Sequence, residues 1–153
     1  TAAMAALMLA GMVGAFAAPY AKGDRVDGFT VKTQHGEAVE FKPSDSRFLL
    51  VSHDMETGKK ANAVLTTLGN VELAKRKTVY LANIFGMPGI GRMFAMPKMR
   101  RYSHTILLAD DAGLIARFPE QAGKVTVLKL ESGKIGSVDY WSPGQEPLDD
   151  KLK

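Results

Sequence analysis

His53, Asp54 and Glu56 fall within one polar bend, residues 52–58, directly after the apolar run 48–51. A histidine and two carboxylates this close can act as acid and base or hold a metal ion. The same side chains on an exposed bend also read as ordinary solvated turn residues. A second group is Met93, Met96 and Met99, spaced i, i+3, i+6. Three thioethers at that spacing, with His53 as an added nitrogen donor, can offer soft ligands to Cu(I). The chain has no cysteine, which excludes disulfides, thiolate nucleophiles and thiolate-bound metals within it. His35 lies in turn-forming sequence and reads as structural. His104 stands beside the start of a strand and reads as a partly buried, satisfied side chain.

Both groups border the stretch with the strongest demand for a function, residues 85–101, FGMPGIGRMFAMPKMRR. It holds four of the chain's eight methionines, interleaved with Arg and Lys. Methionine adapts its shape, which suits a surface that repacks around a partner. Apolar groups flanked by basic ones also suit an interface near anionic headgroups. The candidate partner-binding residues are Phe85, Met87, Arg92, Met93, Phe94, Met96, Arg100 and Arg101. Packing over the core with a solvated basic rim is the third reading. Pro97 is expected to weaken any long helix here and to interrupt the methionine face. The segment Pro88-Gly89-Ile90-Gly91 is no phosphate loop, because the Lys-Ser/Thr pair is missing.

These residues need elements to position them. Alternating runs at 29–33 and 38–41, joined by Gln34-His35-Gly36-Glu37, predict a β-hairpin. Four successive apolar residues at 48–51 predict a strand buried on both faces. A helix from about Lys59 places Ala61, Val64, Leu65 and Leu68 on one side and stops at Gly69-Asn70. Strands follow at 78–84 and 105–108, then a short helical or extended piece at 114–118. A closing hairpin pairs 124–130 with 135–141 around Gly133. The tail, 143–153, reads as polar loop or fray. With 153 residues and no repeat or long linker, the chain carries one principal domain, 22–142. The order predicts a mixed α/β sheet with flanking helices and an N-terminal β-hairpin.

Residues 1–18 carry no charge. Leu7, Leu9, Met12, Val13 and Phe16 supply the apolar side chains of a candidate membrane helix, and Ala15-Phe16-Ala17 is a small-x-small cleavage pattern. The segment is a signal peptide or an uncleaved membrane anchor; as a helix it would reach roughly 27 Å, against a bilayer core of about 30 Å. Either reading places residue 22 onward outside the cytoplasm. Net charge is +4, too mild and too scattered for a nucleic-acid footprint.

Several features in order resemble the YtfJ-like group of periplasmic, thioredoxin-fold proteins. They are Leu50-Val51-Ser52-His53, a Lys-bearing bend leading to Asn62-Ala63-Val64-Leu65, a strand ending in Asn83, then Pro88-Gly89-Ile90-Gly91 with Met93-Phe94, and the 125–135 hairpin. The resemblance implies export and a thioredoxin-like fold more than any reaction. In that fold the redox cysteines would fall near Glu56 and Lys59, and a cis-proline near Lys124; this chain has none of them. The expected function is a non-catalytic binding or accessory subunit in the periplasm or at the periplasmic face of the inner membrane. It would dock a protein partner, such as a membrane complex, without a cofactor or nucleic acid. The alternatives are a periplasmic Cu(I)-binding protein and an enzyme with a His53/Asp54/Glu56 site.

Overall fold

The computed structural model describes residues 18–153. The candidate membrane segment, with Leu7, Leu9, Met12, Val13 and Phe16, lies outside the described residues. Seven strands form one mixed sheet in the order β2-β1-β5-β4-β3-β6-β7. They are β1 (Phe29–Thr33), β2 (Ala38–Phe41), β3 (Phe48–Ser52), β4 (Thr78–Asn83), β5 (Leu107–Ala109), β6 (Val125–Glu131) and β7 (Lys134–Trp141). The helices are α1 (Met55–Lys75), α2 (Gly89–Arg101) and the short α3 (Ala112–Ile115). This is the thioredoxin-like mixed sheet expected from the element order.

β3 lies between a parallel neighbour, β4, and an antiparallel one, β6. Its side chains alternate between two cores, as the two-residue strand period requires. Phe48 and Leu50 face a core roofed by α1, α2 and the C-terminal segment. Leu49 and Val51 face the other, with Tyr20, Phe41 and Phe118. The closing hairpin turns on Ser132 and Gly133, both with positive φ (51° and 83°), the backbone of a type I′ turn.

Three local expectations are corrected. First, α1 begins at Met55, ahead of Lys59, because Asp54 caps it. It also runs past Gly69 to Lys75, with a break at Gly69 (φ 81°, ψ 164°), where glycine accepts what other residues resist. Ala61, Leu65 and, beyond the break, Leu73 are buried. Second, α2 continues through Pro97. The ring removes one backbone donor, but Pro97 is exposed and Met99 beyond it is buried in the core, so packing holds the helix across the missing bond.

Third, the tail is not frayed. A 3-10 turn at Leu148–Lys151 seats Leu148, and Leu152 follows it into the core beside Leu73 and Trp141. Arg76, the residue that ends α1, pairs with Asp149 at 2.8 Å, and the Trp141 indole N–H donates to the Glu146 carbonyl at 3.0 Å. A chain ending at Ser142 loses two buried leucines, each worth about 1.5–3 kcal/mol. Urea unfolding is expected to show a stability loss of about 3 kcal/mol or more; an unchanged midpoint would show that the tail only rests on the domain.

Candidate functional site

The bend between β3 and α1 disperses its three candidate catalytic groups. The Asp54 carboxylate accepts from the Thr57 backbone N–H (2.8 Å) and hydroxyl (2.9 Å), so it is spent on capping α1. Glu56 points to solvent, 4.0 Å from Lys59. His53 turns the other way, toward β6. Its Nε2 is 2.8 Å from the Thr126 hydroxyl. That hydroxyl donates its own proton to the Pro119 carbonyl, so Nε2 carries the hydrogen and donates. The bare Nδ1 faces the Glu120 carboxylate at 4.0 Å. Burial pushes the His53 pKa down, against the upward pull of Glu120 and Asp54. Among the described residues no group of three or more His, Asp or Glu side chains is placed to hold a metal ion.

Beside this bend, α1 and α2 stand apart over the sheet and enclose a cavity of about 270 Å³. Its floor is β3 and β4, where the buried hydroxyls of Ser52 and Tyr80 meet at 2.7 Å. Burial holds the Tyr80 phenol well above its ordinary pKa. The α1 wall contributes Gly58, Lys59 and Asn62, and the α2 wall Phe94, Ala95, Lys98 and Met99.

The α2 wall is fixed by Arg92. Its guanidinium grips Asp110 with two bonds (2.9 and 2.6 Å) and donates to the Ile84 carbonyl at 2.9 Å. The contact holds the Arg92 pKa up and the Asp110 carboxyl down. Arg100 Nε donates to the Gln34 carbonyl at 3.3 Å. Arg92 and Arg100, expected at a partner interface, are thus engaged within the domain, whereas Arg101 is exposed. The apolar members of the set divide as well. Phe85 (51% exposed), Ile90 (72%), Met93 (68%) and Phe94 (68%) open to solvent at the start of α2. Met87 and Met96 are half-buried against the core, and Met99 is inside it. Met93, Met96 and Met99 therefore do not present one sulfur-lined face, and His53 points to β6, so the proposed copper ligands are not gathered.

One polar network behind the cavity joins residues that sequence reasoning left apart. Gln34, buried in the first hairpin loop, donates to the His104 carbonyl (2.7 Å) and accepts from the Ile106 N–H (2.8 Å). His104 Nε2 lies 2.9 Å from the Asn62 Oδ1 on α1. The only available signal was the placement of three polar residues, Gln34, Asn62 and His104, at positions that elsewhere would be apolar.

No family model matches the chain, and no curated protein does. Solved structures match with TM-scores above 0.5. A protein described as a thiol:disulfide interchange protein DsbE from Chlorobium tepidum is 12% identical, over 86% of this chain and 94% of that one, with TM-score 0.59. A thio-disulfide isomerase from Thermus thermophilus is 20% identical, over 87% and 95%, with TM-score 0.53. A peroxiredoxin-like protein from Aquifex aeolicus is 12% identical, over 89% and 86%, with TM-score 0.54. At such identities the likeness shows a thioredoxin-like fold alone; the narrower resemblance to the YtfJ-like group is not confirmed. With no cysteine, this chain's own residues cannot carry out the thiol–disulfide exchange named in two of those descriptions.

His104 makes the pH dependence predictable. Burial lowers its pKa from 6.5 to about 4, and its Nδ1 has no partner among the described residues. The unfolded chain therefore binds a proton that the folded chain refuses between those values, so stability rises with pH across that window and falls on acidification. His53 acts in the same direction. Denaturant midpoints are expected to fall between pH 7 and pH 5, ahead of carboxylate titration, and His104→Gln is expected to flatten that slope. An unaltered slope would remove His104 as the cause.

Proposed function

We propose that this is a non-catalytic, exported thioredoxin-fold protein that binds a protein partner at the outer face of the cytoplasmic membrane. The observation that carries the reading is the apolar group Phe85, Ile90, Met93 and Phe94, more than half exposed on one short stretch. Exposed apolar groups gathered this closely, with basic residues nearby, are typical of a recognition surface. Arg92 holds that stretch in place through Asp110, so the surface is presented ready-made. The apolar segment 1–18 supports export and a membrane setting, as does the resemblance to the YtfJ-like group. Among the described residues no helix is long and apolar enough to cross a membrane.

The test is a photo-crosslinking residue at Ile90 of the full chain in its native host, with a control at exposed Val71 on α1. One discrete protein adduct is expected from position 90, none from 71, and at least a tenfold loss of that adduct in the Met93→Asp variant. Adducts to lipid alone would replace the protein partner with the membrane surface. Equal adducts from both positions, or none, would end the docking reading.

A further inference from the structure

We propose that the cavity between α1 and α2 binds a small aromatic carboxylate that carries a second oxygen at the far end of its ring. The proposal goes beyond the docking reading and stands on the cavity alone. At about 270 Å³ the cavity holds the volume of roughly nine water molecules at ~30 Å³ each, the bulk of a compound of about ten non-hydrogen atoms. Met55, Ile84, Met87, Phe94, Met99 and Tyr102 supply an apolar lining rich in thioether and aromatic groups, which favours an aromatic ring.

The polar groups in the lining are unequal. Each carboxylate or amide oxygen in the lining already accepts a hydrogen bond: Asp54 Oδ1 and Oδ2 from Thr57, the Asn62 Oδ1 from His104, and the Asn83 Oδ1 from the Phe85 N–H. The side-chain groups of the lining left without a partner among the described residues are donors, apart from the two-way hydroxyl of Tyr102. Ser52 and Tyr80 hold two O–H protons between them and use one in their mutual bond, leaving the other for a ligand. The Asn62 NH2 group has no partner among the described residues. Lys59 and Lys98 contribute ammonium groups from the two walls, and Lys98 has no acidic partner among the described residues. A site whose free polar groups donate selects a ligand whose polar groups accept. The two lysines fit a carboxylate, and the deeper hydroxyl pair fits a second oxygen.

The experiment titrates the full chain with 3-(4-hydroxyphenyl)propionate by calorimetry, alongside its neutral amide and 3-phenylpropionate. Saturable one-to-one binding below about 1 mM is expected. It should weaken about tenfold or more for the amide and for Lys98→Glu, and several-fold for 3-phenylpropionate. Lys98 is exposed, so that variant is expected to fold, and its unfolding midpoint checks this. Ala95→Leu fills the cavity and should block binding. Met93→Asp lies outside the cavity and should leave binding unchanged, which separates this site from the docking surface. No saturable binding, equal affinity for acid and amide, or full binding by a folded Ala95→Leu variant would overturn the proposal.

Discussion

The strand β3 is the constraint on which the rest depends. Among the described residues it is the one element hydrogen-bonded on both edges through its whole apolar run and buried on both faces. Such a strand cannot slip by a residue without moving Phe48 and Leu50 into the core that Leu49 and Val51 occupy. Its end is therefore fixed, and with it the polar bend. Ser52 must face Tyr80 on the neighbouring strand, and Asp54 must stand where it caps α1. In redox members of this fold that junction presents cysteines. Here the same rigidity presents a capped helix start and a buried hydroxyl pair.

The cavity follows from how the two helices are held. α1 is tied to the sheet by Ala61 and Leu65, and to the segment before β5 by Asn62–His104 and Asn70. α2 is tied at its start by Arg92 and near its end by Arg100 and Met99. Among the described residues no side-chain hydrogen bond or ion pair joins the two helices across the gap. They are anchored separately to a common floor, so the space between them persists without being filled from within. Arg92 and Arg100, two of the basic residues that look from sequence like partner contacts, help to maintain that spacing.

Most of the fold was legible because it rests on period and punctuation. The four-residue apolar run fixed β3, alternation fixed the two hairpins, and Gly133 marked the closing turn. What was not legible depended on contacts distant in sequence. Nothing local reveals that Leu148 and Leu152 return to cover Trp141, because isolated leucines in a polar, proline-containing tail look like fray. Pro97 misleads for the opposite reason: a local rule against helix yields to the burial of Met99. At the site, the apolar residues of 85–94 were recognisable, but Arg92 could not be assigned to Asp110 from spacing alone. The donor-rich cavity was invisible, because it arises from two strands and two helices meeting.

The division of methionines along α2 has a consequence of its own. In a chain without cysteine, thioethers are the groups most open to oxidants. Met93 is exposed and Met99 is enclosed, so a peroxide meets the rim of the surface long before the core. Conversion to the sulfoxide would turn an apolar contact polar where recognition is proposed, and would leave the packed interior intact. Such damage would be reversible by repair enzymes and nearly silent in any measurement of folding. The protein would stay folded while the proposed recognition surface lost its apolar character.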